Sequence, residues 1–197
     1  MNTGVLEEVD ALRKNDIYAT KELKEELQKY LFPASTKDLV LDLSNVTSAF
    51  YGILLKNIGE KIWFEHIDEI SKKTFYDIGK VKAQQCTEKM ESLPRDTRAF
   101  FIVLASALYN ASPEYSIKSM EYTKEKTVFE CSGKDRYLRI LNQLGIAKYV
   151  TFPTLLAFFD GIRDFLNIRS EMTYDMEINN EKNEVIYIFR FNEETND

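Results

Sequence analysis

Few side chains in this sequence could carry chemistry. There is one histidine, His66, and there are two cysteines, Cys86 and Cys131. A single imidazole excludes a zinc site built on several histidines, and the isolated cysteines form no C-x-x-C pair. Any Ser-His-Asp or Cys-His relay would have to run through His66. That residue sits in IWFEHIDEI, beside an acidic, helix-like stretch, and reads as a surface or boundary histidine. No phosphate-binding glycine loop, dinucleotide fingerprint or G-x-S-x-G elbow occurs. Glu65, Asp68 and Glu69 cluster in sequence, but hard cations need oxygens converging from several segments, so the cluster reads as a solvated face. Cys131, at a strand end, reads as a small buried hydrophobe. Cys86, between Gln85 and Thr87 on a polar helix end, reads as exposed and as the candidate for acylation or oxidation. No catalytic residue is assigned, and neither a metal nor a cofactor is expected.

The elements that would position these groups come from 197 residues, 44% of them hydrophobic, 13% aromatic and 29% charged. At roughly 150 residues per domain that is one domain with an extension. The aromatic content furnishes a core and argues against wholesale disorder. A net charge of −6 disfavours nucleic acid as a partner, because that footprint needs clustered Lys and Arg. Two cysteines make no disulfide framework, and MNTGVLEEVDALRKND lacks the apolar core of a signal peptide, so a cytoplasmic protein is expected. The longest apolar run, residues 99–109, falls short of the ~20 needed to cross a bilayer. It reads as a central buried helix, with no integral membrane association.

Leu23, Leu27, Tyr30 and Leu31 mark an amphipathic helix ending near Phe32-Pro33. Residues 39–43 (LVLDL) could be a short strand or open a helix. From about Thr47 the period is helical, with Phe50, Ile53, Leu54 and Ile58 on one stripe. Trp63, Ile67, Ile70, Ile78 and Val81 form the stripe of the next helix, and Gly79 within it suggests a close helix crossing. After the 99–109 helix the period becomes two. Residues 115–122 and 127–131 read as a hairpin. Leu138, Leu141 and Leu144 then stripe a short helix capped by Gly145. Leu155, Phe158, Phe159, Ile162, Phe165 and Leu166 stripe a second, which contains Gly161. Met172, Tyr174, Met176 and Ile178 alternate along a strand, NNEKN turns, and EVIYIFRF reads as an inner strand apolar on both faces. The expected fold class is α+β: N-terminal helices packed on a roughly four-stranded antiparallel sheet, with two helices between its hairpins. Residues 1–44 would be a helical extension, 45–192 the α+β domain and 193–197 a polar tail.

Three stretches, SAFYGILLKNIGE, TFYDIGKVKAQQ, and the run from KTVFECSG through DGIRDFLN to EVIYIFRF, resemble one superfamily. It includes 4-vinyl-reductase ligand-binding domains, small TRAPP tethering-complex subunits and haem–nitric-oxide-binding domains. The same region resembles the amino-thiazoline-carboxylate hydrolase-like family. A STAS-like α/β domain is the alternative fold, since LVLDLSNVTSAF is similar to its strand-then-helix opening and LNQLGIAKYVTF to its closing segment. The superfamily resemblance implies an apolar cavity between helices and sheet for a hydrophobic or amphipathic small molecule. Its lining candidates are Phe50, Tyr51 and Leu54, then Phe101, Leu104 and Leu108, then Phe158, Phe159 and Ile162, with Tyr51 or Tyr109 supplying polar groups.

The sequence departs from its relatives in places. Residues 98–110 lack the histidine that haem-binding relatives carry there, and no paired cysteines follow Cys131. One class of TRAPP subunit holds an acyl chain on a cysteine, and Cys86 lies near the end of the corresponding helix. The expected function is therefore a non-enzymatic binding or sensory module, or an interaction scaffold of the same fold, forming a homodimer. The alternatives are a TRAPP-like tethering subunit, dimerising through its long helices, and a hydrolase whose only obvious nucleophile is Cys131.

Overall fold

The computed structural model describes residues 4–194. The chain opens with helix α1 (Gly4–Leu12) and then two helices with side-chain caps. Thr20 accepts from the Leu23 N–H at 3.1 Å to start α2 (Lys21–Tyr30), and Ser35 accepts from the Asp38 N–H at 3.1 Å to start α3 (Thr36–Ile62). Residues 39–43 are therefore helical, not a strand: the Ser35 cap starts the helix well before Thr47, and the expected boundary at residue 44 falls inside continuous α3. Trp63 leaves the helix at φ 94°, and α4 (Ile67–Lys89) follows a 3-10 turn.

The buried face of α3 differs from the stripe of large residues. It carries Ser44, Ser48, Gly52, Leu55 and Gly59, while Phe50, Ile53 and Leu54 point outward. On α4 the buried face is Ile67, Ser71, Phe75, Gly79, Ala83 and Cys86, and Ile78 and Val81 are exposed. Close packing selects the small residues. A Cβ on Gly52 would lie 2.8 Å from Ile140 Cγ1 and 2.9 Å from Leu144 Cδ1.

Helix α5 (Arg98–Ala111) precedes the hairpin β1 (Tyr115–Tyr122) and β2 (Lys126–Lys134). Then come α6 (Arg136–Gln143), α7 (Leu155–Leu166), β3 (Ser170–Asn179) and β4 (Glu184–Glu193). The four strands form one sheet in the order β1-β2-β4-β3, with every pairing antiparallel. The fold is α+β as expected. The STAS-like α/β alternative fails because its opening strand is a helix and no strands run parallel among the described residues.

Strand β4 is internal in the sheet, as its sequence indicates, but only one of its faces is covered. Val185, Tyr187, Phe189 and Phe191 are buried, whereas Ile186 on the other face is exposed and Ile188 half-buried. Against the covered face, Phe159 of α7 meets Phe189 at 4.8 Å and Phe191 at 5.0 Å between ring centroids. Phe100 of α5 stacks on Phe191 at 4.1 Å. A second core of Leu55, Ile67, Leu141, Ile146 and Val150 joins α3, α6 and the start of α4.

Helices α4 and α7 meet backbone to backbone. A Cβ on Gly79 would run into the Phe158 carbonyl oxygen, and one on Gly161 into the Tyr76 carbonyl oxygen, closer than any real side chain comes. The Gly79 crossing anticipated from sequence is thus present, and Gly161 is its counterpart.

Either Gly79→Ala or Gly161→Ala should destabilise the protein by about 2–4 kcal/mol, because backbone cannot move aside as a flexible side chain can. Gly145→Asn should cost far less, because Gly145 (φ 71°) has open space around it and Asn tolerates that conformation. Urea unfolding measures all three, and an unchanged midpoint for Gly161→Ala would contradict the crossing.

Candidate functional site

The residues expected to line a chamber separate into two groups. Leu104, Leu108, Phe158, Phe159 and Ile162 are buried in the main core, with Phe101 packed half-buried against them. Their neighbours there are other side chains: Phe129 lies 6.0 Å from Phe159 and 5.5 Å from Phe101 between ring centroids. Phe50 and Leu54 belong to neither core. They are 70% and 46% exposed on the outer side of α3, so they cannot line an interior cavity. Tyr51 turns the other way. Its hydroxyl lies 2.7 Å from Ser71 Oγ, and its ring meets Phe75 and Tyr137 edge-on. Tyr109 is exposed.

Neither thiol is exposed. Cys131 is fully buried, and burial, then Asp135 and Glu130, pushes its thiol well above the ordinary range. That environment suppresses the thiolate a nucleophile needs. Cys86, expected at the surface, is also buried: it falls on the α4 face carrying Ala83 and Gly79, not on the polar face of Gln84 and Gln85. His66 is exposed, as read from sequence.

A buried polar cluster that sequence reading passed over ties α6 to its surroundings. Asp135 accepts from the Tyr137 and Leu138 N–H groups at 2.8 and 3.0 Å, and from the Tyr187 hydroxyl at 3.0 Å. The Arg136 guanidinium, also buried, donates to Ser44 Oγ at 3.0 Å and Tyr137 OH at 2.6 Å, and it lies over the Tyr137 ring. Ser44 in turn donates to Glu114. The signal was present as an Asp immediately before a helical stripe, which is an N-cap pattern.

Two features of the helical surface stand out. The first is the outward face of α3. Leu43, Val46, Phe50, Ile53 and Leu54 are 46–70% exposed and lie opposite Ser44, Ser48, Gly52 and Leu55. At ~150–200 Å² per large side chain this is roughly 500 Å² of apolar surface, at the upper end for a monomer's largest patch. The helix, 27 residues long, is long and apolar enough to cross a membrane by length and composition, which residues 99–109 are not. Its opposite side is packed on α6, and its flanks carry Asp42, Lys56 and Glu60.

The second feature is a groove of about 690 Å³ between α4 and the start of α7. Glu69, Lys72, Lys73 and Tyr76 line one side, and Pro153, Thr154, Leu156, Ala157 and Asp160 the other. Ser71 also borders it, and Asp68 anchors its end by accepting from the Thr151 N–H at 2.6 Å and from the Thr151 hydroxyl at 3.1 Å.

No family model and no curated protein matches the sequence. Among solved structures, the chain is similar to a crystal structure of trafficking protein particle complex subunit 3 from Naegleria fowleri covalently bound to palmitic acid. The likeness has a TM-score of 0.49 at 10% identity and covers 78% of this chain and 98% of that one. A likeness of that degree assigns neither family nor activity.

Two results test this geometry. Both thiols should resist Ellman's reagent in the native protein and react on unfolding, whereas rapid native labelling of Cys86 would overturn its placement. For Asp68, burial raises the carboxyl pKa, but hydrogen bonds from Lys72 and Thr151 outweigh it and hold the group below its ordinary value. A depressed folded-state pKa stabilises the fold above the unfolded value near 3.8 and is lost as pH falls through the folded value. Asp68→Asn should therefore lower stability by about 1 kcal/mol at pH 7, with the difference shrinking at a pH below the ordinary value of 3.8. A difference that is the same at both pH values would contradict the assignment.

Proposed function

We propose that this chain is a non-enzymatic interaction scaffold whose contact surface is the outward face of α3, and that its partner there is a second copy. The single observation that carries the reading is the orientation of α3, which buries serine and glycine and exposes leucine, valine, phenylalanine and isoleucine. A stable interface needs about 800 Å² from each partner. The apolar stripe supplies the larger part, and the polar flanks of a helix about 40 Å long can supply the rest.

Charge favours a second copy in antiparallel register. The N-terminal end of α3 carries Asp38 and Asp42 against the single Lys37, and its C-terminal end Lys56 and Lys61 against the single Glu60. A twofold axis near Phe50 brings Asp42 level with the segment following Lys56 on the same flank of the other copy. A lipid surface fits less well, because these flanks carry no cluster of Lys and Arg and the chain as a whole is acidic. A tethering-type subunit, assembling through its long helices, is the role this surface suits.

Sedimentation equilibrium tests the proposal. The wild-type protein should be a dimer at low micromolar concentration, and Val46→Asp/Phe50→Asp should be a monomer with an unchanged circular dichroism spectrum. A monomeric wild type, a dimer that survives the double substitution, or flotation of the wild type with phosphatidylcholine vesicles would each overturn it.

A further inference from the structure

The groove between α4 and α7 is independent of the α3 surface, and its donors point to a ligand class. Helix α7 has 12 residues, no acidic residue in its first turn, and no side-chain cap from Thr154. First-turn amides lack acceptors within a helix. Here the Leu156 N–H donates to the Pro153 carbonyl at 3.2 Å, and among the described residues Leu155 and Ala157 find no backbone acceptor ahead of the helix. Thr154 is a second observation. It is only 7% exposed and lines the groove, and among the described residues its hydroxyl makes no hydrogen bond. The oxygen itself is not sealed off, so it is open to a ligand in the groove.

Across the groove stand Lys72 and Lys73. Their ammonium groups are held by Asp68 and Asp77, which fixes them in place without burying them. Of the carboxylates on the rim, Asp160 is engaged by Arg163 at 2.7 Å, and Glu69 is exposed. The walls between these polar groups are apolar: Pro153, Leu156, Ala157 and the Tyr76 ring. The volume, about 690 Å³, lies in the range of small-molecule sites.

We infer that this groove binds a small organic anion with a compact apolar body. Its head accepts from the Thr154 hydroxyl and from the first-turn amides left over, those of Leu155 and Ala157, and its body rests on Leu156, Pro153 and Tyr76. The positive end of the α7 dipole faces the head, and Lys72 and Lys73 add longer-range attraction. Binding is weak, because the neighbouring carboxylates offset part of that field.

Benzoate is the probe, with acetate carrying the head alone and benzyl alcohol the body alone. In amide NMR spectra of the whole protein, benzoate should shift Leu155, Leu156 and Ala157 saturably in the millimolar range. Acetate should bind about tenfold more weakly, and benzyl alcohol should leave these amides in place. Thr154→Val, which keeps the shape and removes the hydroxyl, should weaken benzoate about fivefold with the dispersion of the spectrum retained. Lys72→Gln/Lys73→Gln, at exposed positions, should flatten the salt dependence and supplies a second reading should the Thr154 variant fold poorly. Non-saturating shifts, shifts scattered over the surface, equal shifts from benzyl alcohol, or benzoate affinity and salt dependence unchanged in the variants would overturn the inference.

Discussion

Where α4 and α7 touch, the Gly79 and Gly161 faces leave no room for a Cβ, and the rest of the architecture follows from that approach. Two helices in backbone contact behave as one rigid slab. Through α7 the slab is pinned to the sheet, where Phe159 sits among Phe129, Phe189 and Phe191. Through Ser71 and Phe75, α4 meets Tyr51 of α3. The groove at the start of α7 borders the same pair of helices, so the crossing holds its two walls.

Close approach has a second consequence. A helix that presents small residues to its neighbours must place its large ones elsewhere. Ser44, Ser48 and Gly52 let α3 settle on α6, with Ile140 and Leu144 filling the space a larger side chain would need. Leu43, Val46, Phe50, Ile53 and Leu54 are then left on the outside. Exposing that much apolar surface is costly in water, and covering it would recover about 25 cal/mol for each Å² removed from solvent. The network of Asp135, Arg136, Tyr137 and Tyr187 fixes α6, and with it the orientation of α3.

Much of the fold was legible in the sequence. The period-two runs at 115–122 and 172–178 and the apolar run at 184–191 marked strands, and the stripe from Leu155 to Leu166 marked α7, because the inner strand and the central helix bury large residues in the ordinary way. The reading failed where packing is tight. Phe50, Leu54, Ile78 and Val81 looked like core because size and hydrophobicity were taken as the mark of burial, while Ser44, Ser48, Gly52, Ser71 and Ala83 were the residues inside. Gly79 alone hinted at this. Cys86 was misplaced for the same reason, since it belongs to the small-residue face. The 39–43 segment was ambiguous because LVLDL suits either period, and the Ser35 cap decides it. The groove was not legible, since it joins residues from 69–76 with residues from 151–160 that only the crossing brings together.

The inverted orientation of α3 is the central claim, and side-chain footprinting with hydroxyl radicals tests it most directly. In protein diluted until it is monomeric, Leu43, Val46, Phe50, Ile53 and Leu54 should be oxidised readily and Leu55 protected, with protection spreading over the first five as concentration rises. Strong protection of Phe50 and Leu54 in the dilute monomer, with Leu55 labelled, would show that the large residues face inward and would contradict the account.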